Sequence, residues 1–371
     1  IGVRLVGSEM CIRDSIDGGS DDERTLNRNT EAFDDCDLVP KILANVGKPD
    51  LSTTVFGRKI SMPIFLSPAA MQRLYHPEGD KASARAAEKF NTFYSMSTMS
   101  NNSIEQIANL SSGPKLFQLY IHKDQSITDD LIDRCKRANF DGLCLTVDTI
   151  VAGNRERDHR TGFTTPPKLT LKSLFSFAIK PKWVFDYLTN EKFELSNVKN
   201  KTDKGTNITK SVIEYINEQY DPGMNWSDAE YVVKRWDKPF AIKGVMSVED
   251  AKRAVDIGCT AIMISNHGGR QLDGSRSPFD QIKLISDAVG DKVDIILDGG
   301  VRRGTHVLKA IAAGAKACSF GKAFLFSLSA GGQKGVEKLL QNMHDEIQRN
   351  MILMGCKNLK DLNYSRLIFR R

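Results

Sequence analysis

Short apolar segments recur along the chain and alternate with amphipathic ones. Eight of them combine aliphatic, aromatic and β-branched residues over a length typical of buried strands. They are PIFLSP from position 63, TFYSMS from 92, KLFQLY from 115, DGLCLTVD from 141, PFAIKG from 239, TAIMIS from 260, VDIILDGG from 293 and KACSFG from 316. Because most are apolar throughout and do not alternate, we expect a parallel sheet covered by helices.

The segments between these strands carry helix start and stop signals. SVEDAKRAVDIG begins with Ser247 and ends with Gly258, and SPFDQIKLISDAV offers Ser277 as N-cap and Pro278 as first helical residue. Eight strands alternating with helices predict an α/β fold of the (β/α)8 TIM barrel type. A doubly wound sheet is the alternative, but LSPAAMQ follows the first strand where that fold normally has a Gly-rich turn.

The spacing of these segments predicts one barrel with strands from about 63 to 320, one insertion and a C-terminal helix. About 90 residues separate Asp148 from Pro239, so we expect the insertion at about 155–225. Within it, LKSLFSFAIKPKWVFDYL (171–188) interleaves aromatic residues with lysines, which suits either an anionic membrane surface or a packed loop. The tail GVEKLLQNMHDEIQRNMILMG predicts a helix that packs on the barrel.

The opening IGVRLVGSEMCIRDS raises a separate expectation. Its MCIRDS element resembles the translation of a transposon adaptor used in sequencing libraries. We therefore expect residues 1–15 to be a non-native segment and residues 16–371 to form the domain.

Composition narrows the class of protein. Hydrophobic residues make up 40% and charged residues 26%, and the net charge of +6 is spread along the chain, so a nucleic-acid partner has no support. No apolar stretch is long enough to cross a bilayer. Seven cysteines occur without a CxxC pair or a His/Cys cluster, which predicts reduced thiols in a cytoplasmic protein and no metal site.

Polar residues follow the carboxyl ends of the predicted strands, where barrel enzymes carry their active sites. After strands seven and eight, LDGGVRRG and SFGKAF each combine glycine-flanked amides, a cation and a helix start, which favours a phosphate site over plain turns. The polar residues at the other strand ends are Gln118, Tyr120, Thr146, Asp148, Lys243, Ser265, His267 and Arg270.

His267 is the candidate general base, because a histidine in a glycine-rich turn has few neighbours that would make it a core residue. Asp148 could orient its ring, or could cap the next helix instead. Arg270 could bind a substrate carboxylate through two parallel hydrogen bonds from its planar guanidinium. Lys243 ends an apolar strand, where it either meets a buried partner or lies on the surface.

The segment SNHGGRQLDG resembles the active-site signature of the FMN-dependent 2-hydroxy-acid dehydrogenase and oxidase family. The resemblance extends from Asp17 through DGGSDDERTLNRN, SMPIFLSPAAMQ, FQLY, LTVD, IKGV, LDGGVRRG and GKAF. It implies a barrel that holds FMN, in which His267 deprotonates the substrate hydroxyl while hydride passes from the α-carbon to the flavin.

The resemblance also implies roles for further residues. Asp148 would stabilise the imidazolium, Arg270 and Tyr120 would bind the substrate carboxylate or carbonyl, and Lys243 would lie near flavin N1. Arg155 matches a mobile second arginine. The positions that match FMN contacts are Ala69, Ser97, Gln118, Thr146, Ser265, Asp298, Gly300, Arg302, Gly321 and Lys322.

Two positions depart from the family pattern. Lys322 stands where the family has a phosphate-binding arginine. The lysine keeps the positive charge but cannot make the bidentate contact of a guanidinium. Ser15 stands where the family has a substrate-binding tyrosine. We therefore expect a weaker substrate site if residues 1–15 are non-native.

Within the family, RDHRTGFTTPPKLTLKSLFSFAIKPKWVFDYL is similar to the bacterial respiratory L-lactate dehydrogenases. This similarity implies oxidation of L-lactate to pyruvate, a quinone or cytochrome acceptor, a cytoplasmic location at the inner face of the membrane, and a homotetramer. Met99 lies where glycolate oxidases carry tryptophan, which predicts a differently shaped pocket. An oxygen-dependent glycolate-type oxidase and a non-catalytic flavin-binding barrel are the alternatives.

Overall fold

The computed structural model describes residues 16–161, 194–198 and 218–370. Eight parallel strands close into a barrel in the order β10-β11-β4-β5-β6-β7-β8-β9, so the first and last barrel strands pair. The barrel strands are β4 (Ile64–Leu66), β5 (Tyr94–Ser97), β6 (Lys115–Leu119), β7 (Gly142–Thr146), β8 (Phe240–Val245), β9 (Ala261–Ile264), β10 (Asp294–Asp298) and β11 (Ala317–Phe320). Seven lie inside the predicted segments and β8 extends one residue beyond its segment, which confirms the TIM barrel.

Helices surround the barrel. They are α1 (Arg24–Glu31), α2 (Gly79–Lys89), α3 (Ile104–Leu110), α4 (Gln125–Arg137), α5 (Glu156–Thr161), α6 (Trp226–Trp236), α7 (Val248–Asp256), α8 (Pro278–Val289), α9 (Gly304–Ala313) and α10 (Lys322–Met354). Ser247 caps α7 by accepting from the amide of Asp250, and Ser277 caps α8 by accepting from the amide of Phe279, as predicted.

A hairpin closes the amino end of the barrel. Its strands are β2 (Thr53–Val55) and β3 (Arg58–Ile60), and Phe56 at the turn joins the apolar side chains inside the barrel. That interior cluster also contains Phe65, Phe93, Leu116 and Met263, all fully buried. The amino end is therefore packed with apolar side chains, which leaves polar groups to the carboxyl end.

The C-terminal helix begins earlier than the sequence pattern indicated. We expected it in the tail after Gly331, but α10 starts at Lys322, directly after the last barrel strand, and bends at Gly331 and Gly332. The two glycines have non-helical angles, so the apolar periodicity changes phase there and hides the first helical turns. Helix α10 packs against α2 and α9, as a helix on the barrel's outer surface should.

Two short strands outside the barrel, β1 (Cys36–Leu38) and β12 (Leu367–Phe369), pair antiparallel and join the two ends of the described domain. The aromatic and lysine segment 171–188 lies outside the described residues, as do residues 1–15. Among the residues that are described, no helix is long and apolar enough to cross a membrane.

Candidate active site

His267 begins the turn that follows β9 and takes a left-handed backbone conformation, with φ of +56°. Its amide donates to Ser265 Oγ at 3.1 Å, and Gly268 and Gly269 continue the turn with positive φ. A non-glycine residue in this region is strained, which is a feature of functional sites. The turn thus holds the imidazole above the carboxyl end of the barrel.

His267 and Asp148 form a hydrogen-bonded pair, with Nδ1 2.8 Å from Asp148 Oδ1. Burial lowers the pKa of His267 by more than Asp148 raises it. Burial raises the pKa of Asp148, but the charges of His267 and Lys243 outweigh it and leave that pKa below its usual value. At neutral pH the imidazole is therefore neutral, with its Nδ1 proton on the carboxylate side and Nε2 able to accept a proton.

The glycine after Lys243 makes room for this pair. Gly244 has φ of +114°, and a Cβ there would lie 2.9 Å from the Cβ of Asp148. The alternative that Asp148 serves as a helix cap is wrong, because its Oδ1 accepts from His267 and Thr149.

Lys243 lies inside the barrel and is 4% exposed, which excludes a surface lysine. Its Nζ is 2.9 Å from Asp298 Oδ2 and donates to Ser265 Oγ at 3.1 Å. Burial lowers the pKa of Lys243, whereas the charges of Asp298 and Asp148 raise it. The charges have the larger total effect, so the pKa lies above its usual value and the ammonium persists at neutral pH.

Asp298 is held as an anion by a ring of hydroxyls. Ser265 Oγ donates to its Oδ2 at 2.8 Å, Ser319 Oγ donates to its Oδ1 at 2.6 Å, and Ser67 also donates to Oδ1. Burial acts to raise its pKa, but Lys243 and these hydroxyls bring the pKa to about 2. The sequence matched Asp298 to cofactor contacts, whereas its contacts here are those of a support for Lys243.

Several cations meet at the rim. Arg270 lowers the pKa of Arg155 to about 10, with burial as the second cause. Burial lowers the pKa of Lys322 to about 7, and the charges of Arg270 and Arg302 contribute. Arg302 is exposed, and its amide donates to His306 Nδ1 at 3.3 Å. Such a concentration of positive charge favours an anionic ligand.

Backbone carbonyls of the N-terminal segment face these cations. Arg270 Nη1 donates to Gly18 O at 3.0 Å, and Lys322 Nζ donates to Asp17 O at 2.9 Å. The N-terminal segment thus lies against the cations at the rim. The tyrosine position of the family, Ser15, lies outside the described residues.

Buried polar atoms also lie near the carboxyl ends of β6 and β7. Gln118 Nε2 and Thr146 Oγ1 are buried, and neither has a hydrogen-bond partner within the described ranges. Gln118 Oε1 accepts from Ser97 Oγ at 2.9 Å. Unsatisfied buried polar atoms are costly, and their presence together indicates a polar ligand.

These features fit FMN. The unpaired donors of Gln118 and Thr146 suit the polar edge of a flavin ring, and the buried ammonium of Lys243 suits the charge of a reduced one. For the phosphate, Lys322 and Arg302 supply charge, and Gly300 lets the loop after β10 approach the backbone of α1 at Asn29. Ala69 is 9% exposed beside β4, and a Cβ on Gly321 would lie 3.8 Å from Ser67, so both predicted positions flank the same mouth.

Three neighbours of this site were not recognised in the sequence. Thr149 Oγ1 lies 3.1 Å from His267 Nδ1, Tyr75 is close enough to Arg270 and Arg155 for their charges to act on its phenol, and Gln271 Nε2 donates to the carbonyls of Asp148 and Val151. Only Gln271 had a local signal, its place in SNHGGRQLDG. The other two depend on contacts that the fold creates.

Tyr120 follows β6 and lies near the pair of His267 and Asp148. Burial raises the pKa of Tyr120 to about 12, and the charge of Asp148 adds to the shift. Its ring stacks on Tyr220 with centroids 4.6 Å apart. The phenol therefore stays protonated and can donate a hydrogen bond to an anionic substrate.

Comparison with known proteins gives the same family as the sequence motifs. The family model described as FMN-dependent dehydrogenase matches residues 9–369. Glycolate oxidase 5 of Oryza sativa subsp. japonica is 38% identical over 357 residues, which covers 96% of this chain and 91% of the relative. L-lactate oxidase of Nostoc sp. is 38% identical over 356 residues, which covers 94% of this chain and 90% of the relative.

A solved structure extends the likeness to three dimensions. The monotopic membrane protein (S)-mandelate dehydrogenase matches with a TM-score of 0.93 and 30% identity, covering 99% of this chain and 97% of that one. The family model, the curated relatives and this solved structure all match nearly the whole chain. The chain therefore belongs to the FMN-dependent dehydrogenase family.

Proposed function

We propose that this protein oxidises an L-2-hydroxy acid to the 2-oxo acid at FMN. The observation that carries the proposal is the pair of His267 and Asp148, 2.8 Å apart, beside a cluster of arginines at the barrel mouth. A neutral imidazole is a base for the substrate hydroxyl, and the arginines suit its carboxylate. The relatives named glycolate oxidase and L-lactate oxidase act on such acids by name.

The chain's own residues share the work in this proposal. Arg270, Arg155 and Tyr120 bind the carboxylate and carbonyl end and so orient the α-carbon. His267 takes the hydroxyl proton on Nε2, and Asp148 stabilises the imidazolium that results. The chemistry that FMN supplies when bound is acceptance of the hydride, and Lys243 offsets the negative charge that follows.

L-lactate is the substrate that we propose, with pyruvate as product. The support is the likeness of the insertion to respiratory L-lactate dehydrogenases and the relative named L-lactate oxidase. Met99, which is 3% exposed and donates its amide to Ser97 Oγ at 3.2 Å, would border the side-chain pocket. A quinone or cytochrome would accept the electrons.

The experiment is anaerobic mixing of the FMN-loaded protein with L-lactate, then separately with glycolate and mandelate, while flavin absorbance is followed. We expect L-lactate to bleach the flavin at the lowest concentration. A flavin that no 2-hydroxy acid bleaches would contradict the function and would support a non-catalytic flavin-binding barrel.

Oxygen-dependent oxidation is the second candidate, favoured by the relatives named glycolate oxidase. The two candidates differ in the fate of the electrons. Hydrogen peroxide formed in equal amount to pyruvate under air would indicate an oxidase. Pyruvate formation that requires an added quinone or cytochrome would indicate a dehydrogenase.

A peripheral position at an anionic membrane, on the cytoplasmic side, and assembly into a homo-oligomer complete the proposal. Support for the membrane part comes from the lysine and aromatic content of residues 171–188 and from the neighbour titled a monotopic membrane protein.

A further inference from the structure

Thr149 directly follows Asp148 and contacts both members of the proposed catalytic pair. Its Oγ1 lies 3.1 Å from His267 Nδ1 and 3.2 Å from Asp148 Oδ1, and the residue is 5% exposed. One hydroxyl thus lies between the base and its carboxylate.

The direction of these hydrogen bonds follows from the charges. Asp148 is an anion and accepts only, and His267 Nδ1 donates to its Oδ1 at 2.8 Å. The proton of the Thr149 hydroxyl therefore goes to Oδ1, because donation to Nδ1 would require that nitrogen to lose its own proton.

The carboxylate of Asp148 makes few other hydrogen bonds. Asp148 Oδ2 is buried and has no hydrogen-bond partner among the described residues, so Oδ1 receives both of its side-chain bonds. Without the hydroxyl, His267 alone would hold the carboxylate, and the group could rotate about its last bond. The tautomer and the orientation of the imidazole would then be less well defined.

We propose that Thr149 is a positioning residue whose hydroxyl fixes the orientation of the Asp148 carboxylate, and through it the orientation and tautomer of the His267 imidazole. This inference rests on the proposed function, in which His267 accepts the substrate proton. It assigns to Thr149 no contact with the substrate. The hydroxyl acts on the rate through Asp148.

The test compares variants loaded with FMN. Thr149→Val removes the hydroxyl at nearly constant volume, Thr149→Ser keeps it, and Thr149→Ala serves as a second hydroxyl-free variant if valine impairs folding. Thr128→Val is the matched control, since Thr128 is also fully buried and its hydroxyl accepts from the amide of His122 at 3.1 Å, away from the pair.

We expect Thr149→Val to lower the limiting rate of anaerobic flavin reduction by L-lactate roughly tenfold or more, the effect of losing a hydrogen bond to a charged group. The lactate concentration for half-maximal rate should change less. Thr149→Ser should recover most of the rate, and Thr128→Val should keep it.

Each contrary outcome has a distinct meaning. A Thr149→Val protein that reduces flavin at the parent rate, or a serine variant as slow as the valine variant, would overturn the role of Thr149 and leave the proposed function intact. Failure of the parent protein to be reduced by any 2-hydroxy acid would overturn both proposals.

Discussion

Individual ionisable residues in this site owe their state to burial and to neighbouring charges acting in opposite directions. Burial keeps His267 neutral, whereas ion pairing overcomes burial for Lys243 and Asp298. The same protein interior therefore contains a neutral base after β9 and a charged pair on the two strands that flank β9. One group can accept a proton while the pair retains its charge.

Replacing His267 tests the assignment of the base. We expect His267→Gln to lower the rate of flavin reduction by about 10²–10⁴-fold, because an amide cannot take the proton of the hydroxyl. FMN content should stay at the parent level, since no cofactor-facing side chain changes. Stopped-flow absorbance under anaerobic conditions measures the rate, and normal reduction in this variant would remove His267 from the mechanism.

Lys322 makes a prediction about pH. Its pKa of about 7 before FMN binds means that the ammonium is largely present below pH 7 and lost above it, and a bound phosphate would raise that pKa. FMN binding then takes up a proton at higher pH, so affinity should fall by up to about tenfold per pH unit above about 7. Quenching of FMN fluorescence on titration with FMN-free protein measures this affinity.

Two controls isolate the lysine. Lys322→Arg keeps a positive charge at every pH of the titration, so its FMN affinity should be much less dependent on pH. Riboflavin, which lacks the phosphate, should bind with little dependence on pH in either protein. Equal pH dependence of FMN binding in the parent and Lys322→Arg proteins would show that another group titrates.

At the scale of secondary-structure elements, the site depends on close approach between the N-terminal segment and the loops that follow the barrel strands. Helix α1 lies against the turn after β9, where Asn29 and Asn266 exchange side-chain hydrogen bonds of 2.8 and 2.7 Å. Gly300 allows the loop after β10 to reach the same helix. The helix therefore fixes two of the loops that line the cofactor site.

Substitution of Gly300 tests this approach. Gly300 has φ of +74°, and an added Cβ would lie 2.0 Å from the carbonyl oxygen of Asn29, so Gly300→Ala must displace α1 or the loop. We expect a loss of about 2–3 kcal/mol in the free energy of unfolding, together with weaker FMN binding. Urea unfolding measures the loss.

Gly274→Ala is the matched control. Gly274 has φ of +78° but no atom within 4 Å of an added Cβ, so this variant reports the conformational cost alone, about 1 kcal/mol. Equal losses of unfolding free energy in the two alanine variants would mean that α1 can move away from the loop after β10 without an energetic cost.

At the scale of the whole molecule, the prediction concerns binding to an anionic membrane surface. If residues 171–188 bind an anionic surface, the protein should sediment with vesicles that contain anionic lipid and should be released by salt. Deletion of that segment should abolish sedimentation while flavin reduction by L-lactate persists. Sedimentation that survives the deletion would assign membrane binding elsewhere, and no sedimentation of the parent protein would refute it.

The strands, most of the helices and the pairing of the candidate base could be predicted from the sequence. Strand and helix positions follow from local patterns, since burial on both faces selects continuous apolar runs, and Ser247 and Ser277 mark helix starts by chemistry that needs only adjacent residues. The barrel in turn brings all carboxyl ends to one rim, so His267 and Asp148 could be paired before any distance was known. The exception is α10, whose glycines interrupt the local pattern.

The partners and charge states of the site residues could not be predicted in this way. Thr149 meets His267 across 118 positions, and Lys243 meets Asp298 only because their strands both face the barrel interior. The pKa of Lys322 depends on the burial of its ammonium and on two arginines from other loops. Local sequence sets the side-chain pattern that selects the fold, whereas distances between remote residues, and the electrostatic energies that depend on them, exist only once the chain has closed into the barrel.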